Sequence, residues 1–185
     1  LPEGFLEIYR DLETYGSETE DAENAGWLVR YIPSIQGLDL VSPSSVSEPI
    51  SGEECQQGLL MPSFTLPAYP DVSSANDVTF EAWEHCIEDL QHTWHEQRFG
   101  QKTDYAIPFT HLGGHSWNGK TGIEELLQIV LPISDSDTHV LLATVESWTA
   151  LNGWFGDAGN LEVWIRQSDL TKLDFSHVWC LIRTD

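Results

Sequence analysis

Residues 154–183 read WFGDAGNLEVWIRQSDLTKLDFSHVWCLIR, and the alternation within this stretch decides the fold class. Residues 156–160 (GDAGN) are turn chemistry. After them Leu161, Val163 and Ile165 alternate with Glu162, Trp164 and Arg166. A period of two sends one set to each side of a sheet, which predicts a half-buried strand with Glu162 and Arg166 on the wet face. Ser168 is placed to cap a short helical turn over 169–173. Residues 178–182 (VWCLI) predict a final buried strand.

Working outward, 125–133 and 139–146 are Leu-, Val- and Ile-rich runs separated by the turn-like 134–137, which predicts an antiparallel pair. Residues 26–32 (GWLVRYI) carry Trp27, Val29 and Tyr31 on one side and predict another strand. Phe5, Leu6, Tyr9 and Leu12 predict a short helix, and the acidic residues 16–23 a solvated loop. The Ser/Pro stretch 42–49 with Pro62, Pro67 and Pro70 makes 41–78 an irregular segment, with at most a short strand at 58–61. Phe80, Trp83, Ile87, Leu90 and Trp94 recur at alternating steps of three and four. That spacing predicts one long amphipathic helix over 79–98, capped by Thr79 or Asp77 and stopped at Gly100. The sum is a mixed α+β fold of largely antiparallel sheets with one long amphipathic helix and short helices, in a single domain spanning 1–185.

The C-terminal segment also resembles the YwqG-like bacterial proteins. The resemblance rests on Gly156-Asp157-Ala158-Gly159, the strand 161–165, Asp169-Leu170, and the entry into the last strand through Phe175, Val178 and Trp179. Leu126-Leu127-Gln128-Ile129 resembles that family's Leu-rich strand. His111-Leu112-Gly113-Gly114-His115 is similar to its His-x-Leu-Gly-Gly-Tyr-Pro stretch, with His115-Ser116 in place of Tyr-Pro. The likeness covers about 105–183. It implies a mixed α+β fold with antiparallel sheets and a bacterial origin, and it implies no reaction.

Thirty acidic residues against eight basic ones give a net charge of −22 with histidines neutral. Phosphate backbones and anionic lipid surfaces repel such a chain, which argues against nucleic acid and membrane partners and for a basic protein partner or a divalent cation. With 41% hydrophobic residues and a length of 185, the chain can build its own core. Cys55, Cys86 and Cys180 are odd in number and widely spaced, without a CxxC pair. They predict buried thiols in a reducing, cytoplasmic setting rather than a disulfide framework. No apolar run is long enough for a transmembrane helix.

Candidate chemistry is sparse. His85, Glu88 and His92 fall on one face of the predicted helix at metal-ligand spacing, but a solvated polar face explains them more simply and HExxH is absent. His111 and His115 flank two glycines, where a tight turn is the simpler account and proton transfer or ligand binding the sharper one. Asp157 suits its own turn. No GxSxG elbow is present. Trp117, Trp148 and Trp154 stand among Gly, Asn, Ser and Thr rather than in regular elements, where exposed rings serve as binding anchors. The expected function is therefore a non-enzymatic acidic interaction module without a cofactor, contacting its partner through Trp117, Trp148, Trp154, Asp157, His111 and His115. The rival expectations are a metal-dependent enzyme using those histidines, and a small-ligand protein, for instance for a sugar.

Overall fold

The computed structural model describes residues 3–11, 13–24, 26–37, 62, 64–73, 76–87, 93, 110–147, 155–156 and 159–184. Two antiparallel sheets carry the fold. The first pairs β1 (Phe5–Arg10) with β2 (Trp27–Ile32). The second has the order β3-β4-β5-β6, from β3 (His111–Leu112), β4 (His139–Glu146), β5 (Asn160–Arg166) and β6 (Val178–Arg183). Four short α-helices are seen among the described residues: α1 (Tyr69–Val72), α2 (Asp77–His85), α3 (Glu124–Val130) and α4 (Gln167–Lys172). A 3₁₀ helix at Thr19–Asn24 occupies most of the expected acidic loop and buries nothing. The expected α+β class with antiparallel sheets is what the chain adopts.

The register explains the core. Val163 opposite Cys180, Leu161 opposite Ile182, and Ile165 opposite Val178 place one side of the large sheet in a single apolar cluster. Val29 belongs to that cluster, with Leu6, Ile8 and Tyr31 packed against it, so β1 and β2 cover this side. Trp164 opposite Trp179 begins the other side, where Leu141, Leu181 and the α3 residue Leu127 form a second cluster with Ile123 and Leu131. Covered on both sides, β5 is buried from Asn160 through Ile165. The half-buried reading of this strand is thereby corrected: alternation describes the chemistry of its two faces, not their exposure.

The open edge of β6 is closed by the segment that follows β1. Ile182 N–H donates to the Tyr15 carbonyl at 2.8 Å, and the Trp179 indole donates to the Gly16 carbonyl at 2.8 Å. Arg10 donates to the Cys180 carbonyl at 3.0 Å and lies 5.4 Å over the Trp27 ring. Trp27 meets Trp179 edge to face, with centroids 4.8 Å apart. Covering an edge this way removes a template for unwanted strand pairing.

Several expectations change. Phe5–Arg10 is a strand, not a helix, because Leu6 and Ile8 point to one side together and find partners in Tyr31 and Val29. The run 125–133 contains a helix, not a strand. Ile123, Leu127 and Leu131 recur every four residues and are all buried, while Ile129 is 66% exposed. Accordingly β4 pairs with β3 and β5 instead of with that run. The cap of α2 is Asn76, whose Oδ1 accepts from Thr79 N–H at 3.0 Å. Phe80 and Trp83 pack on Tyr69, and the Trp83 indole donates to the Pro67 carbonyl at 2.6 Å. The single long helix expected over 79–98 is seen only as Asp77–His85, and residues 88–92 and 94–98 lie outside the described ones, as does the expected strand at 58–61. Helix α4 starts before Ser168, whose N–H and hydroxyl both bond to Asp137, at 3.1 and 2.6 Å. No helix of the described residues is long and apolar enough to cross a membrane.

The two readings of 124–130 are separable by mutation. A strand would put Leu127 and Ile129 on the same side, whereas the helix separates them. Leu127→Ala is expected to cost about 3 kcal/mol, and Ile129→Ala to stay within about 0.5 kcal/mol, both read from urea denaturation. Equal losses would restore the strand.

Candidate functional site

The apolar part of the second face, under α3, gives way toward the other end of the sheet to polar side chains. Thr144, Asn160, Glu162 and Arg183 share that face by register, since Thr144 lies opposite Glu162 and Asn160 opposite Arg183. Glu162 is 0% exposed. A buried carboxylate is tolerable only with partners for its oxygens, and this one has them. Oε1 accepts from the Ser116 hydroxyl and, at 3.4 Å, from Asn160 Nδ2. Oε2 accepts from the Trp164 indole at 2.9 Å and stands 4.0 Å from Arg183 Nη1. Asn160 Nδ2 also donates to Thr144 Oγ1 at 3.0 Å. Ser116, Asn160, Trp164 and Arg183 thus occupy both oxygens, so Glu162 acts as an anchor and offers no free edge to a substrate proton. A second buried carboxylate, Glu146, lies opposite Asn160 on the same face.

What Glu162 anchors is the segment 111–121, which leaves β3 and crosses over this polar patch. Arg183, held against Glu162, donates to the Asn118 carbonyl at 3.3 Å and the Gly119 carbonyl at 3.5 Å. From the other side, Asp71 of α1 accepts from Lys120 N–H at 2.9 Å, Thr121 N–H at 2.9 Å and the Thr121 hydroxyl at 2.9 Å. Thr65 Oγ1 accepts from His115 N–H at 2.7 Å, and Gly113 N–H donates to the Leu142 carbonyl at 2.9 Å. The glycines are demanded by these contacts. Gly114 and Gly119 both have positive φ, and a Cβ would lie 2.3 Å from Thr65 Oγ1 at the first and 2.8 Å from Asp71 Oδ1 at the second.

The loop therefore has little freedom, yet it presents rings to solvent. Trp117 is 48% exposed and His115 is exposed, while His111 is half-buried and donates through Nε2 to the His115 carbonyl at 3.2 Å. Of the residues singled out from the sequence, the structure brings His111, His115 and Trp117 together on this one loop. His85 is exposed at the end of α2. Trp148, Trp154, Asp157, Glu88, His92 and Cys55 lie outside the described residues. Among the described residues no group of three or more His, Cys, Asp or Glu is placed to hold a metal ion. Burial pushes the Cys180 thiol up to about 12, which leaves it inert as a nucleophile; Cys86 is half-buried and free.

Sequence reasoning missed Glu162, Arg183, Ser116, Asp71 and Thr65. A signal for two of them was present. With eight basic residues in the chain, an arginine ending a buried strand needs an anion, and a glutamate amid Leu, Val, Trp and Ile is the natural one.

Two tests follow from this geometry. Removing the anion should leave Arg183, whose side chain is 16% exposed, without its counter-charge. Glu162→Ala is expected to cost about 3–5 kcal/mol, and the double change with Arg183→Met to cost less than the two single changes summed. Additive losses would show that the pair is not coupled. The second test concerns Asp71. Its burial alone would raise the carboxyl, but the N–H groups of Thr121 and Lys120 and the Thr121 hydroxyl outweigh that and hold it below the ordinary range. A lowered folded-state value contributes stability above the unfolded value, near about 3.9, and loses it as pH falls through the folded value. The stability gap between the wild type and Asp71→Asn should therefore narrow as the pH drops below about 4. A gap that stays constant down to the acid transition would mean that Asp71 does not clamp the loop as an anion.

No curated protein and no solved structure matches the chain. A family model, that of the domain of unknown function DUF1963, matches residues 2–183. That span takes in both sheets and the anchored loop, and on it the chain belongs to the DUF1963 family.

Proposed function

We propose that this chain is a non-catalytic interaction module whose recognition element is the loop 111–120, with Trp117 and His115 as its outward contacts. The observation that carries this reading is the contrast within the loop. Its backbone is pinned by Arg183, Asp71, Thr65 and Leu142, while Trp117 stands half in solvent. An aromatic side chain on a rigid loop loses little entropy on binding, which is how anchor residues gain affinity. The net charge of −22 points to a basic protein as the partner. Trp148, Trp154 and Asp157 are proposed as further contacts on their sequence setting alone.

The same proposal includes a single domain over 1–185, kinship with the YwqG-like bacterial proteins, and a cytoplasmic location. The match over 2–183 supports the first, the shared C-terminal residues the second, and the free thiols Cys86 and Cys180 the third.

The test is capture of native lysate proteins on the wild type and on Trp117→Ala, at low and at high salt. The wild type should retain basic proteins at low salt and shed them at high salt, because exposed charge contacts are screened. Trp117→Ala should keep the wild-type melting temperature and retain at least about ten-fold less, the loss of one anchor. Equal retention by both proteins would remove the loop from the interface, and retention indifferent to salt would remove the basic partner.

A further inference from the structure

Beside the loop lies a cleft with a different chemistry. Its volume is about 930 Å³, within the span usual for small-molecule sites. Leu6 and Ile8 of β1, Tyr31 of β2, Leu142 of β4, and Leu170 and Leu173 at the end of α4 wall it. Among the described residues its lining holds none that is charged, although about a fifth of the chain is charged (21%). Apolar side chains at its mouth remain in contact with water: Leu112 is 47% exposed and Leu173 37%.

Leu173 is the second observation. It ends α4 with φ 58, the one non-glycine residue at positive φ among the described residues. That position commonly belongs to glycine, because a side chain there crowds the backbone. A γ-branched leucine brings backbone strain to a site where glycine would bring none, and this residue lines the cleft. Strain of this kind concentrates where a side chain serves a ligand.

We propose that this cleft binds the apolar tail of a small amphiphile whose head group is uncharged or cationic. The tail is selected by a lining without charge, and burying it would dry the exposed faces of Leu112 and Leu173. The head group is selected by the field of a chain at −22, which repels carboxylate and phosphate heads. The cleft site is independent of the loop reading, since Trp117 is not among its walls.

The experiment uses the full chain and the uncharged fluorescent dye N-phenylnaphthylamine, titrated below any micelle concentration and displaced by decanol, decyltrimethylammonium or decanoate. The expected result is saturable one-to-one dye binding, displaced by decanol and decyltrimethylammonium and at least about ten-fold less well by decanoate, in line with like-charge repulsion. Leu173→Gly relieves the strained residue while removing a wall. It should melt no lower than the wild type and bind the dye at least about ten-fold more weakly, the loss of one buried leucine contact. Trp117→Ala should bind the dye as the wild type does, which separates failure of the cleft from failure of the loop. Unsaturable or absent dye binding, or a stable Leu173→Gly protein with unchanged affinity, would overturn the site. Decanoate displacing as well as decyltrimethylammonium would overturn the head-group selection, and binding of an amphipathic peptide without binding of the dye would overturn the small amphiphile.

Discussion

The buried carboxylate of Glu162 is the constraint around which the second face of the large sheet is organised. A carboxylate with no solvent contact in the central part of a sheet is costly to desolvate, so its environment must supply donors from several directions at once. The donors come from its own strand (Asn160 and Trp164) and from the crossing loop (Ser116), and the next strand adds the positive charge of Arg183, 4.0 Å away. The loop donor has the largest consequence. To bring Ser116 over Glu162, the chain after β3 must turn sharply, which requires Gly113 and Gly114 at positive φ. To keep Arg183 satisfied, the same chain must turn its Asn118 and Gly119 carbonyls inward. A single buried charge thereby fixes the path of an exposed loop.

The opposite face follows a different rule. It is apolar throughout, and its order comes from registering Val163, Leu161 and Ile165 against β6 and from laying β1 and β2 over them. The two faces meet at the β6 edge, where Trp27 packs against both clusters. Trp27 donates to the Val178 carbonyl at 3.2 Å, and Arg10 beside it donates to the Cys180 carbonyl. These bonds join residues 151 and 170 positions apart in the chain. The smaller sheet is tied to the larger one through side chains rather than by strand pairing, which explains why it consists of two strands and still stays in place.

The same contrast between local and distant causes separates what was legible in the sequence from what was not. Residues 26–32, 139–146, 161–165 and 178–182 are readable as strands because β-branched and aromatic residues at a period of two are a local signal. Residues 5–10 and 124–130 were misread for one reason: a short apolar run fits either period, and the partner decides. Ile8 faces Val29, while Leu127 fills a gap beneath the sheet. In the site, the loop and its rings were visible from glycine spacing and from Trp117 among polar residues. Its supports were not. Ser116 meets Glu162 at a separation of 46 residues, and Asp71 meets Lys120 at 49; no window along the chain joins them.

The loop and the cleft share a boundary, and that boundary shows how they relate. Strand β3 has two residues, with His111 opposite Thr144 and Leu112 opposite Ala143. Neighbouring residues in a strand point to opposite faces, so Leu112 belongs to the cleft side and His111 to the polar side with Glu162. Gly113 then lines the cleft and starts the loop while donating to Leu142. An occupant of the cleft would press on Leu112 and Gly113, but the chain beyond them is held by Thr65, Glu162, Arg183 and Asp71 within the next eight residues. Coupling between sites requires a second arrangement of comparable energy, and these bonds weigh against one. The proposed loop and cleft surfaces therefore lie on opposite faces of one short strand, each shaped by its own chemistry.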